Sequence, residues 1–121
     1  MTTHPLVQQL REHVAALPGD PIADPGSGLC TTIQGDGGSY WLQLYEGQIN
    51  FLHLDDEAEE RVLDAVLEGV GEPVAIEKGL YVTFGLQPMD PATVDALLTR
   101  LLREYYKVPE DGTAEIFTEE M

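Results

Sequence analysis

Between residues 28 and 54 apolar and polar side chains alternate, and two glycine-containing breaks divide this alternation into three segments. Alternation with a period of two is typical of strands that bury only one face. The breaks lie at residues 35–38 and 46–47, where glycine accepts the positive φ that a tight turn requires. The pattern therefore predicts an antiparallel meander with strands near 28–34, 39–45 and 48–54.

Three segments of helical periodicity surround this meander and the hairpin that follows it. In each, apolar residues recur at the spacing that places them on one helix face. Asp56 followed by Glu59 resembles a capping box, and Asp90 before Pro91 combines an N-cap with proline at the first helical position. The predicted helices lie near 3–17, 56–70 and 91–106.

A second hairpin is predicted between the last two helices, with strands near 73–77 and 79–86 around the turn sequence Glu77-Lys78-Gly79. In the second of these strands, alternate apolar residues share one face: Leu80, Val82, Phe84 and Leu86. The element order is then α-β-β-β-α-β-β-α, which predicts an α+β fold with an antiparallel sheet packed by amphipathic helices. We expect one domain over 1–109 and a frayed acidic tail over 110–121.

The charge balance narrows the possible partners. Twenty-two Asp and Glu face six Lys and Arg, giving a formal charge of −16. Such a field repels nucleic acid and anionic membranes and attracts cations and basic protein segments. Solubility, for example in a salty cytoplasm, explains the charge equally well, and both explanations remain open. With one cysteine, Cys30, and neither a signal peptide nor an apolar run of about 20 residues, a cytoplasmic protein is expected.

The element order over roughly residues 3–107, together with the small size and acidity, resembles the type III secretion chaperone-like fold family. This resemblance implies a homodimer that holds extended or partly unfolded segments of a protein partner on exposed apolar patches. It implies no catalytic residues. The three amphipathic helices favour a dimer too, with leftover apolar surface expected mainly on the second helix.

Four aromatic side chains crowd into the meander and are the predicted partner-binding residues: Tyr40, Trp41, Tyr45 and Phe51. Aromatic residues on the less buried face of a sheet would form a binding platform. The alternative is that they belong to the core.

Acidic residues suggest a second type of site. Five acids occur within residues 55–60, and Asp36 lies between two glycines. Calcium takes six to eight oxygen ligands, so Asp36, Asp55, Asp56 and Glu57 are the predicted cation ligands, although no EF-hand pattern is present. The alternative is that acids at a helix start interact with its dipole without any ligand.

Cys30 has no accompanying signature of a catalytic base, so we predict no enzymatic role for it. The sequence as a whole favours a non-enzymatic, acidic, chaperone-like protein that holds an apolar or basic segment of a protein partner. Two alternatives remain: a calcium-binding regulatory or buffering protein, and an acidic inhibitor or immunity-type protein.

Overall fold

A computed structural model describes residues 3–19, 21, 26, 28–45, 47–68, 70, 73–85 and 91–120. These residues form helices on one face of an antiparallel sheet, so the predicted α+β fold is confirmed. The helices are α1 (Pro5–Ala15), α2 (Glu57–Leu67) and α3 (Pro91–Arg100), the last continuing as a π-helical turn over Leu101–Tyr105. The strands are β1 (Leu29–Gly35), β2 (Trp41–Tyr45), β3 (Gln48–Phe51), β4 (Ala75–Glu77), β5 (Tyr81–Gly85) and β6 (Ala114–Glu120). None of the described helices has the length and apolarity needed to cross a bilayer.

The strands lie in the order β4-β5-β3-β2-β1-β6, and every neighbouring pair is antiparallel. The predicted meander and second hairpin are both present. The first break forms a short 3₁₀ turn in which Gly37 and Gly38 adopt positive φ of 67° and 73°. Asp56 caps α2 as predicted, since its carboxylate accepts the N–H groups of Ala58 and Glu59. The predicted cap at Asp90 and the strand end at Leu86 lie outside the described residues.

The prediction of a frayed tail is wrong. Seven residues of the supposed tail, Ala114–Glu120, form β6 and pair with β1 along its whole length. Ile116 lies opposite Ile33 and Thr118 opposite Thr31, so alternate side chains of β6 face the helices. The intervening positions carry Glu115, Phe117 and Glu119. The sheet consequently gains a sixth strand that local composition did not indicate.

The sheet buries the face that carries its aliphatic and aromatic rows. One such row crosses all six strands in register: Ile116, Ile33, Leu42, Phe51, Val82 and Ile76. The four inner members are almost completely buried, whereas Ile116 is half-buried and Ile76 is exposed. Burying side chains of this size contributes about 1.5–3 kcal/mol each, so the inner strands dominate the stability of the sheet.

Contacts from two helices place them on this same face. The ring of Tyr105, at the end of α3, meets Phe51 edge-on with ring centroids 6.4 Å apart. The ring Nε2 of His13, in α1, lies 2.8 Å from the Thr118 hydroxyl of β6. That hydroxyl is also 2.8 Å from the hydroxyl of Thr31, which ties α1, β6 and β1 together.

Candidate functional site

The β4–β5 hairpin is anchored to the sheet by a buried histidine. Gly79, with φ of 74°, lies in the turn, and its N–H donates to Nδ1 of His53 over 3.1 Å. The Leu80 N–H donates to the Glu77 carbonyl over 3.0 Å, which closes the turn. His53 is almost fully buried at the end of the meander. The hairpin is therefore held in one position although most of its side chains face solvent.

The large apolar side chains that are exposed in the described part of the chain all lie on this hairpin: Val74 (66% exposed), Leu80 (59%), Ile76 (50%) and Tyr81 (40%). We call these four residues the hairpin patch. Scattered exposed apolar residues are ordinary on protein surfaces, but a cluster on one element is typical of an interaction surface. The prediction that Leu80 shares a strand face with Val82 and Phe84 is wrong, because Leu80 lies in the turn before β5 and is exposed, whereas Val82 and Phe84 are buried.

A groove of about 490 Å³ lies between α2 and β4 and adjoins the patch. It is lined by Leu63, Asp64, Ala65, Leu67, Glu68, Pro73 and Ile76. Because Ile76 belongs to both surfaces, this α2–β4 groove and the hairpin patch are continuous. Its apolar side chains are bordered by two exposed carboxylates, Asp64 and Glu68.

Two basic side chains near the groove, those of Arg100 and Lys78, are paired with acids. Arg100 contacts the Ala65 carbonyl over 3.4 Å, but its guanidinium pairs with Glu104, with Nε 2.6 Å from Oε2. This pairing raises the pKa of Arg100 and lowers that of Glu104. Lys78, at the hairpin turn, lies 3.6 Å from Glu60. The groove therefore presents apolar surface with a net acidic border.

The structure separates the four predicted aromatic residues onto two faces of the sheet. Tyr40 and Phe51 belong to the buried core, where Phe51 is fully inaccessible. Trp41 and Tyr45 alternate with buried Leu42 and Leu44, so they lie half-buried on the opposite face. A single platform of all four residues does not form.

A third aromatic residue, Phe117 of β6, lies on the same sheet face as Trp41 and Tyr45. It is opposite Thr32, which in turn is opposite Gln43. Sequence reasoning missed Phe117 because it assigned residues 110–121 to a tail. The alternation of Ala114, Ile116 and Thr118 was the available signal.

The predicted cation ligands have separate structural roles. Asp56 caps α2, while Asp36 lies in the 3₁₀ turn between β1 and β2. The neighbouring acids of the 55–60 cluster are paired, Glu59 with Lys107 and Glu60 with Lys78. Within the described ranges no three His, Cys, Asp or Glu side chains converge as metal ligands would. Calcium binding by Asp36, Asp55, Asp56 and Glu57 stays a prediction.

Cys30 is a buried free thiol, 7% exposed, near the start of β1, which lies next to the edge strand β6. Burial raises its pKa, with a smaller opposing effect from a hydrogen bond to Thr32 and a further increase from Glu119. A raised pKa favours the protonated thiol over the nucleophilic thiolate at neutral pH.

Comparison of the chain with protein families, curated proteins and solved structures found no match in any of the three. Only the geometry of this molecule therefore bears on its function.

Proposed function

We propose that this protein is a non-enzymatic binding module that holds an apolar, basic segment of a protein partner against the hairpin patch and the α2–β4 groove. One observation carries the proposal: the exposed large apolar side chains described in this chain are concentrated on one anchored hairpin at a sheet edge. Binding would remove these side chains from water, at a gain of about 25 cal/mol per Å² of apolar surface.

The position of β4 suggests how the segment binds. β4 pairs with β5 on one side, and no described strand lies on its other side. An extended partner segment can add to such an edge through main-chain hydrogen bonds, while alternate side chains enter a neighbouring groove. Here the groove residue Ile76 would receive apolar side chains, and Asp64, Glu68 and Glu77 would face basic ones.

Net charge supports a basic partner over an acidic or neutral one. At −16, the protein attracts a cationic segment and accelerates its encounter at low ionic strength. The chaperone-like role and the cytoplasmic location expected from the sequence belong to this proposal, and the single buried thiol of Cys30 suits a reducing compartment.

A homodimer remains part of the proposal, but its interface moves from α2 to the hairpin patch. Leu63, Val66 and Leu67 of α2 are buried within the monomer, so α2 has little apolar surface left for a partner. The hairpin patch is the larger apolar surface, and two β4 edges could pair in a symmetric dimer, which a partner segment that binds at β4 would displace.

Binding can be tested with a fluorescent peptide that alternates valine with lysine and a matched peptide that alternates valine with glutamate. We expect only the lysine peptide to bind, with affinity that falls as salt rises because charges are screened. Replacing Ile76 and Leu80 together by serine should weaken binding at least about tenfold, as loss of central apolar anchors does.

The matched control replaces exposed Gln8 and Gln9 of α1 by serine, and it should leave affinity unchanged. Equal binding of both peptides, or equal affinity of the Ile76/Leu80 variant and wild type, would contradict the proposal. Sedimentation of the same proteins tests the dimer: loss of dimer in the Ile76/Leu80 variant alone would place the dimer interface at the patch.

A further inference from the structure

The bond that anchors the β4–β5 hairpin depends on the charge state of a histidine. Nδ1 of His53 accepts the N–H of Gly79, which lies in the hairpin turn at residues 78–80. A ring nitrogen that accepts a hydrogen bond carries no proton, so the neutral ring has its proton on Nε2. When both ring nitrogens are protonated, histidine has only donors and this bond is lost. The anchor therefore forms in only one of the two charge states of His53.

One carboxylate contacts both His53 and the hairpin turn. Glu60 of α2 has its Oε1 3.8 Å from Nε2 of His53, too far for a hydrogen bond but within range of an ion pair with a charged ring. Lys78 of the hairpin turn has its ammonium 3.6 Å from the same oxygen. The His53 side chain is only 3% exposed, but Glu60 beside it is 34% exposed. The ring thus has a counter-ion on the side nearest to solvent.

Two further titratable groups lie close to the anchor. The Asp55 side chain packs beside Gly79, where a Cβ on the glycine would meet the Cβ of Asp55 at 3.5 Å. The hydroxyl of Tyr105, at the end of the π-helical turn, accepts the N–H of Leu54, the residue after His53. Burial raises the pKa of Tyr105, so this phenol stays neutral in acid. Asp55 is the second carboxylate near the ring.

These groups differ in whether they move with the hairpin turn. His53 follows β3 and Glu60 belongs to α2, so their contact does not depend on where the turn lies. Glu60 therefore favours a charged ring in the anchored and the released hairpin alike. The Gly79 bond forms only in the anchored hairpin and favours the neutral ring, and the Lys78 ammonium near Glu60 acts in the same direction. Protons consequently bind more tightly to the released state, and falling pH favours release.

Release of the turn would leave most of the sheet in place. β5 pairs with β3 over four residues, and the Thr83 hydroxyl donates to Oδ1 of Asn50 over 2.7 Å. β4 pairs with β5 over three residues, and the Val74 N–H donates to the Thr83 carbonyl over 2.8 Å. Loss of the anchor thus acts on the turn and on β4, where Leu80 and Ile76 of the hairpin patch lie.

We propose that proton uptake by His53 releases the hairpin turn, so that mild acid loosens the surface that carries the hairpin patch. Histidine ordinarily changes charge between about pH 5 and about pH 8. The consequence for binding rests on the proposed function, because it assumes that a partner uses the patch in its anchored position. A released hairpin must be ordered again by the partner, and this ordering weakens binding.

The release can be measured in the full chain without a partner. Long-range ¹H–¹⁵N NMR spectra report the charge and tautomer of His53 as the pH is lowered from about 8 to about 5. Hydrogen exchange, corrected for the intrinsic rate at each pH, reports the protection of the hairpin amides of Val74, Gly79 and Leu80. We expect this protection to fall at least about tenfold as His53 becomes charged, as loss of one hydrogen bond does.

Two amides of the meander are the reference. The Gly35 and Leu52 N–H groups donate to the carbonyls of Tyr40 and Trp41, and their protection should stay within about twofold. Equal loss at the hairpin and reference amides would overturn the proposal, because the whole protein would then be unfolding in acid. Unchanged hairpin protection in molecules whose His53 is charged would overturn it as well.

Substitutions test whether His53 is the group that takes up the proton. His53→Asn keeps a hydrogen-bond acceptor near the position of Nδ1 but does not titrate, so its hairpin protection should not change with pH. The matched control His13→Gln in α1 should behave as wild type. Glu60→Gln should move the release to lower pH, whereas Glu120→Gln on the opposite edge strand should not. Release of the His53→Asn hairpin at the same pH as in wild type would contradict the proposal.

The peptide that alternates valine with lysine links the release to binding. At constant ionic strength its affinity should fall at least about threefold from about pH 7.5 to about pH 5.5 in wild type, and less in His53→Asn. Equal loss of affinity in both proteins would contradict this regulation. Because exchange is measured without peptide, failure of the peptide to bind at any pH counts against the proposed function, whereas pH-independent protection counts against the release.

Discussion

The two edges of the sheet differ in almost every property that governs whether an edge strand attracts a partner. β6 has seven residues, all registered with β1, and it carries Glu115, Glu119 and Glu120. β4 has three residues, every one exposed, and lies beside the hairpin patch. Charged side chains discourage pairing at an edge, whereas exposed apolar ones invite it. The contrast indicates that β6 completes the sheet of the monomer, and it favours β4 as the edge at which the proposed partner binds.

The largest effect on stability is expected from removing β6. Truncation after Gly112 deletes the strand along with its pairing to β1, and it uncovers buried Thr31 and Ile33. We expect the free energy of unfolding to fall by at least about 3 kcal/mol, from lost cross-strand pairs and hydrogen bonds. Urea denaturation measures this loss.

A control that replaces Glu115, Glu119 and Glu120 by glutamine keeps the strand while removing its charge, and should remain as stable as wild type. An unchanged midpoint in the truncated protein would restore the frayed-tail hypothesis.

Two isoleucines offer a matched test, because Ile116 and Ile76 end the same cross-strand row at opposite edges. Ile116→Lys should cost about 2 kcal/mol, since this side chain is half-buried and packs against the core. Ile76→Lys adds the same charge at an exposed position and should change stability by no more than about 0.5 kcal/mol. Chemical denaturation of both variants checks this. Equal losses would show that β4 supports the fold as much as β6 does.

The smallest expected effect is on the pKa of Glu110, a residue that precedes β6. Its pKa is lowered, chiefly by the hydrogen-bonded guanidinium of Arg103 and also by the charge of His4. A carboxyl whose folded pKa lies below its unfolded one stabilises the fold above the unfolded pKa, and this contribution is lost as pH falls through the folded pKa. NMR titration should give Glu110 a midpoint below the ordinary glutamate value, and Arg103→Gln should raise it. A midpoint that Arg103→Gln leaves unchanged would contradict the assigned cause.

Local signals in the sequence predicted most of the fold. Alternation and glycine breaks located the meander, and Asp56 marked the start of α2, because turns and caps depend on residues close in sequence. β6 escaped prediction because its partner β1 lies roughly 80 residues away and only long-range pairing stabilises so acidic a segment.

The candidate site was harder to predict, for a physical reason. Apolarity in a predicted strand indicates burial on average, yet Ile76 is exposed because β4 is the last strand of the described sheet, and Leu80 is exposed because it lies in the hairpin turn. The aromatic residues were singled out as a group, but alternation along the strand already places Trp41 and Tyr45 on the face opposite to that of Tyr40 and Leu42. Tyr40, which was expected on a binding platform, instead lies in the core with its ring stacked on Tyr106.

The pairing of β6 with β1 has a consequence during synthesis. β1 leaves the ribosome before its outer neighbour exists, and at about 5–20 residues per second β6 follows roughly 4–16 s later. Throughout that interval the outer side of β1 has unpaired backbone groups. They lie next to the side chains of Thr31 and Ile33, which are buried in the finished protein. A nascent chain is thus open to pairing with other nascent chains at an edge that the finished protein has closed. Slower translation of the segment before Ala114 would lengthen this exposure.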